Sequence, residues 1–185
     1  MSGWALGLLL ALCVVADAAH AESLVPEPEG YRTEDYRTPV PDTLAGARVL
    51  TTAEAEAIWR AKTGIFVDVL PRVPKPLNLP AGTVWRDRPR QNIPGSIWLP
   101  DTGYGEPSAI EQDYLRSGLQ GVTRGNRSMP LVIYCQRQCW MSWNAAKRAV
   151  SWGYTAVIWY PDGTDGWQDA GLPLAEATPA AHPGE

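Results

Sequence analysis

Near-continuous apolar runs punctuate the chain. Leu131-Val132-Ile133-Tyr134, Ala156-Val157-Ile158-Trp159 and Gly64-Ile65-Phe66-Val67-Asp68-Val69 lack the in-out alternation of a half-exposed strand. They read as parallel strands covered on both faces. Shorter runs at Arg48 to Leu50 and after the turn Asn92-Ile93-Pro94-Gly95-Ser96 add two more strands. Stretches of helical period separate them. Thr51-x-x-Glu54 is a capping box that opens a helix with Ala55, Ile58 and Trp59 on one face, and Gly64 closes it. Ser108 to Leu119 predicts a second helix with Ile110 and Tyr114 inward. A third begins near Ser142, with Trp143, Ala146 and Val150 on its core face and Lys147 and Arg148 on a solvated one. Strands alternating with helices give an α/β fold, a parallel central sheet of about five strands with helices on both faces. There is no internal repeat.

The segments outside this pattern set the boundaries. Trp4 to Ala16 is apolar and is followed by Ala19-His20-Ala21, which predicts a signal peptide over 1–21 cleaved before Glu22, although its start lacks Lys and Arg. The run falls short of the roughly 20 residues needed to span a membrane. Cys13, preceded by Leu12, is discarded with it rather than lipidated. Residues 22–47, rich in Pro, Glu, Arg and Tyr, predict an arm without helix or strand, wrapped on the domain or mobile. The domain proper covers 48–174. Within it, residues 71–90 form a long Pro-rich loop. Residues 175–185 are expected to fray.

Composition narrows the chemistry. A formal net charge of −4 gives no basic surplus for nucleic acid. Cleavage would leave Cys135 and Cys139 as the only cysteines of a periplasmic protein. It would also leave His182, in the tail, as the only histidine, which disfavours His-based catalysis and His-rich metal sites. Cys135 falls at the carboxyl end of a buried strand, where open α/β sheets collect ligands and the next helix presents unpaired N–H groups. The helix dipole adds only about 0.3–1 kcal/mol to thiolate stability, so loop amides and Arg137 would supply the rest. The alternative for Cys135 is a small buried residue at a strand end. Cys139 is either a resolving thiol or half of a permanent disulfide, and loop geometry decides. Asp68 would hold loop amides beneath the site, with proton transfer as the alternative. Arg137 would attract an anionic sulfur substrate or remain a solvated charge. Trp140 would cover the thiols or meet a partner, and Ser142 opens the supporting helix.

Over Val49 to Leu172 this order of elements resembles a rhodanese-like domain. The matching pieces are Phe66-Val67-Asp68-Val69, Ile93-Pro94-Gly95-Ser96, Tyr134-Cys135, the helix through Gly153-Tyr154, and Asp162-Gly163-Thr164-Asp165-Gly166-Trp167. The resemblance implies a persulfide-carrying Cys135 cradled by loop amides. More narrowly, Cys135-x-x-x-Cys139-Trp140-Met141-Ser142-Trp143-Asn144, Gly30-Tyr31-Arg32 and Tyr160-Pro161-Asp162-Gly163 look like the exported family named for its Cys-Trp motif and its association with pyrroloquinoline quinone-dependent catabolism. That implies an accessory role beside quinoprotein alcohol or aldehyde oxidation, without a quinone bound by this chain. Three departures stand out. Leu70 takes the family's Arg position, leaving Arg72 as the nearest guanidinium, and Asn92 replaces a common His. Met141 stands where a Cys-x5-Arg phosphatase needs its arginine, which excludes that chemistry.

The expected function is sulfur-transfer or thiol-disulfide chemistry in which Cys135 attacks and Cys139 resolves, with no cofactor and no metal. The partners would be a small sulfur donor or acceptor, a periplasmic protein thiol, or a quinoprotein dehydrogenase system. No nucleic acid is expected, and no membrane after signal cleavage. The rival is a non-catalytic accessory or binding module stapled by a fixed disulfide. Copper(I) held by Cys135, Cys139 and Met141 ranks third for want of a His.

Overall fold

The computed structural model describes residues 25–86 and 89–181. The signal-peptide segment and His182 lie outside them. Five strands make the central sheet: β1 (Arg48–Val49), β2 (Ile65–Asp68), β4 (Ile97–Trp98), β5 (Leu131–Tyr134) and β6 (Val157–Tyr160), in the order β1-β6-β5-β2-β4. Every pairing is parallel. The two central strands β5 and β6 are buried along their whole length, as their unbroken apolar sequences require.

Alternate residues of these strands feed two cores. Val67, Leu131, Ile133, Val157 and Trp159 pack with α2 (Ala109–Thr123) and α3 (Trp140–Ser151). Phe66, Val132, Tyr134, Ile158 and Tyr160 pack on the other face with α1 (Thr52–Ala61) and α4 (Gly163–Asp169). Helices on both faces of a parallel sheet are therefore what the chain forms. The Thr51–Glu54 capping box is present in both directions. Ser108 and Glu111 form a second one, which the sequence reading passed over.

Several expected details differ. Helix α1 ends at Lys62, whose left-handed backbone donates to the carbonyls of Ile58 and Trp59, rather than at Gly64. Helix α2 runs on to Thr123, and Ile110 in its first turn is 69 % exposed instead of inward. Helix α3 starts at Trp140, two residues before the expected position, because Cys139 takes the N-cap. The Pro-rich loop ends in a strand, β3 (Arg90–Asn92), which pairs antiparallel with β7 (Ala175–Ala177). The tail therefore does not fray at Leu174. It continues as a bridge of Pro179 to Trp98 and a bond from Ala180 N–H to Trp98 O.

Among its described residues the arm has no regular element, and it is wrapped on α3. Asn144 takes the Arg32 N–H on Oδ1 and donates from Nδ2 to Arg32 O, at 3.0 and 2.8 Å. Lys147 donates to the carbonyls of Pro28 and Glu29, and the Trp143 indole to Thr43 O. Arg148, expected in solvent, is 3 % exposed, lies over the Tyr31 ring and donates to Gly105 O. No helix among the described residues is long and apolar enough to cross a membrane.

Candidate functional site

Strand β5 delivers Cys135 to the carboxyl edge of the sheet, beside β2 and β6. The chain then turns through Gln136, Arg137 and Gln138. Gln138, at φ 53°, reverses it into α3, and Cys139 is the N-cap. That curl brings the Cα atoms of Cys135 and Cys139 to 6.5 Å, inside the range a disulfide tolerates, and the two are joined as one.

Both cysteines are closed off, at 0 and 2 % exposure. The Cys135 sulfur lies 3.6 Å from Gln136 O and 3.8 Å from Cys139 O. This corrects the expectation of a sulfur cradled by loop amides, because the loop turns carbonyl oxygens toward it. Donors are engaged elsewhere: the Arg137 N–H bonds Asp165, and Gln136 pairs with Gly163 in a β-bridge.

Beneath the loop the Cys135 carbonyl is gripped from three sides. Thr164 donates to it from its N–H at 3.1 Å and its hydroxyl at 3.2 Å, and Arg90 Nη2 donates at 3.3 Å. Gly163, at φ +50°, permits this approach, since a Cβ there would fall 2.6 Å from the same oxygen. Arg90 Nε also donates to Asp68 Oδ2 at 2.8 Å, and Leu70 N–H donates to Asp68 Oδ1. Asp68 is fully buried. Burial pushes its carboxyl up to about 6, against the Arg90 charge and the two hydrogen bonds that favour the ion. Its partners are thus Arg90 and Leu70 rather than the loop amides.

Arg90 and Thr164 are the residues the sequence reading missed. Arg72 is drawn instead to Asp101. Arg90 precedes the Asn92-to-Ser96 turn, and β3, formed by pairing with the distant β7, aims it back across the strand ends, so no local signal marked it. The same turn is pinned from below by Tyr134, whose hydroxyl donates to Ser96 Oγ and accepts the Ile93 N–H. Burial raises the Tyr134 phenol well above its ordinary value, so it stays protonated as a donor.

The other expected site residues are separated by role. Arg137 is half-exposed and engaged by acidic groups: Nη2 donates to Asp169 at 2.7 Å and Nε to Asp162 at 3.5 Å. Three carboxylates of 162–169 thus surround a residue expected to draw an anion in. Trp140 is 3 % exposed, giving its N–H to Tyr36 O and its indole N–H to Thr38 Oγ1, so the arm occupies the place expected for a partner. Gln136, oriented with its carbonyl toward the arm, accepts from Arg37 at 2.6 and 3.2 Å. Ser142 is buried, donating to Cys139 O and accepting the Trp159 indole N–H, both at 3.0 Å. In Ser142→Ala the Trp159 N–H would be orphaned, and an expected loss of about 1–3 kcal/mol would register in urea unfolding. Among the described residues no group of three or more His, Cys, Asp or Glu is placed to hold a metal.

Residues 85–170 match the family model described as Rhodanese-like domain. That span of the chain is similar to a rhodanese-like domain. The matched span contains the Cys135 loop, Arg90 and Thr164; β1 and β2, which complete the same sheet, precede it together with α1. Among solved structures the chain is similar to the 30 kDa polysulfide-sulfur transferase homodimer from Wolinella succinogenes. The identity is 15 %, over 76 % of this chain and 85 % of that one, with a TM-score of 0.43. The comparison with curated proteins returned no match. Within the matched span, Cys135 at the end of β5 is one half of a disulfide.

Proposed function

We propose that this protein is an exported thiol-disulfide module on a rhodanese-like scaffold, in which Cys135 and Cys139 cycle between a bond and two thiols. The observation that carries the reading is the bond itself, closing the loop at the carboxyl edge of the sheet. Two external thiols deliver two electrons to it, leaving Cys135 and Cys139 as thiols and departing as a disulfide. Sulfur transfer is the related possibility within the same domain family. It requires the bond to open first, since a sulfur already in a disulfide has no lone thiolate to take up a sulfane atom. The periplasmic setting rests on the signal-peptide pattern in 1–21. An accessory role beside quinoprotein alcohol or aldehyde oxidation rests on the Cys-Trp motif and the Gly30-Tyr31-Arg32 arm. Partners would be protein thiols or small sulfur compounds of that compartment.

A second reading, a non-catalytic module with a permanent staple, is favoured by one observation, the near-complete enclosure of both sulfurs. Thiol counting and intact-mass measurement on native protein equilibrated across a graded glutathione redox series separate the two. Reversible interconversion between no free thiols and two is the expected result. A bond that opens only in denaturant, together with unchanged behaviour of Cys135→Ser, would leave the staple. Incubating the reduced protein with polysulfide then tests transfer, which would add one sulfur atom to its mass.

A further inference from the structure

We infer that Cys139, rather than Cys135, is the sulfur that ionises and attacks once the pair is reduced. This assignment rests on the thiol-disulfide reading and reverses the order of roles expected for a rhodanese-like loop. The two sulfurs of one bond stand at different points of the backbone, one at a strand end and one at a helix N-cap. Cys135 Sγ faces two carbonyl oxygens, of Gln136 and Cys139, at 3.6 and 3.8 Å. As an S–H it can donate to them; as a thiolate it meets two negative dipole ends, and its ionisation is opposed. Cys139 is the N-cap of the twelve-residue helix α3, the position whose side chain ordinarily accepts the N–H of the second or third helical residue.

No such cap exists while the sulfur is bonded to Cys135. The Trp140 N–H is taken by Tyr36 O, and Met141 and Ser142, the second and third helical residues, carry N–H groups that an α-helix leaves without an intrahelical partner. A Cys139 thiolate is the acceptor those two amides lack, and it gains the positive end of the helix as well. Ser142 fixes the Cys139 carbonyl from its other side, which holds the first turn in place.

The reaction follows. The Cys139 thiolate attacks one sulfur of a disulfide R–S–S–R′; the new bond forms as the old one breaks, and R′S⁻ leaves with the electron pair and is protonated by solvent. Cys135 then gives its proton to solvent and attacks Cys139 Sγ, expelling RS⁻ and restoring the Cys135–Cys139 bond. Two electrons pass from the protein to the substrate disulfide. The substrate class is therefore a disulfide, and the intermediate is carried on Cys139.

The sequence supplies a direct test in the natural protein. Arg137 lies between the two cysteines, so trypsin separates them onto different peptides. Reduced native protein is pulsed with iodoacetamide across a pH series, and each peptide is quantified after the remaining thiols are capped with a heavy analogue. The midpoint of each profile reports ionisation, and access changes only its height. The expected result is a Cys139 midpoint below the ordinary value of about 8.5 and at least about one pH unit below that of Cys135. Cys135→Ser and Cys139→Ser supply a second measure, with thiolate absorbance at lower pH expected in the variant that keeps Cys139. Coincident midpoints, or a lower one for Cys135, would overturn the assignment alone. A pair that excess native thiol never opens would overturn the exchange reading and this assignment together.

Discussion

Arg90→Leu is expected to lose about 3–5 kcal/mol of folding stability at neutral pH, because it leaves the Asp68 carboxylate buried without its counter-ion. Arg90 and Asp68 are 12 and 0 % exposed along the pair, and the same guanidinium spans to Cys135 O and Thr164, so the loop loses a support with the charge. The pH dependence carries the signature. In the fold the Asp68 carboxyl is raised from its ordinary 3.8 to about 6, the reverse of the usual salt-bridged aspartate. The folded chain therefore holds this proton more tightly than the unfolded one. Stability from this group is fully present below about pH 4, falls as pH rises toward 6, and is flat above; the change amounts to at most about 3 kcal/mol. In wild type, urea unfolding should show that fall, and Asp68→Asn should abolish it. Arg90→Leu, with the carboxyl pushed higher still, should be destabilised less at pH 5 than at pH 7. A wild-type profile flat from pH 4 to 6 would remove Asp68 as a buried titrating group.

Gly105→Ala should strip the arm from the loop. A Cβ at Gly105 would fall 2.1 Å from Arg32 O and 2.9 Å from Thr33 Cα, and backbone atoms cannot turn aside as a flexible side chain would. The arm must lift, taking with it the Arg32–Asn144 pair, the Tyr36 bond to the Trp140 N–H and the Thr38 bond to its indole. If reduction of the Cys135–Cys139 bond is limited by opening of this cover, each 1.4 kcal/mol removed from the opening cost speeds it tenfold, so an acceleration of about tenfold or more is expected. The readouts are the dithiothreitol reduction rate and tryptic cleavage at Arg32 and Arg37. Faster cleavage without faster reduction would show that the arm is loose and yet not the barrier to the sulfurs.

How much of this was legible in the sequence follows from which forces are local. The buried strands, the two cores and the Thr51 capping box are written in runs and spacings of a few residues, and they stand where the pattern placed them. The disulfide's existence depended on whether a loop of five residues could curl, and Gln138 supplied that by adopting a left-handed backbone that its side chain does not advertise. Arg90 escaped because its function depends on pairing with a strand some eighty residues later, Ala175–Ala177. Lys147 and Arg148 read as solvated for the same reason: a helix face rich in cations looks outward until the arm's carbonyls and the Tyr31 ring are brought against it. The expected cradle of loop amides followed from the strand-end position as well as from family likeness, and the inward carbonyls replaced it.

The arm stands ahead of every strand in the chain, yet its anchors on Trp140, Asn144 and Lys147 lie 102, 112 and 119 residues away. Closures that long are slow to form, whereas the Cys135–Cys139 ring spans a sequence separation of 4 and is local. A folding chain in which the ring closes first exposes both thiols to an oxidant before the arm covers them. In that order the bond is made without the arm's cover, and the folded protein meets reductants with the cover in place.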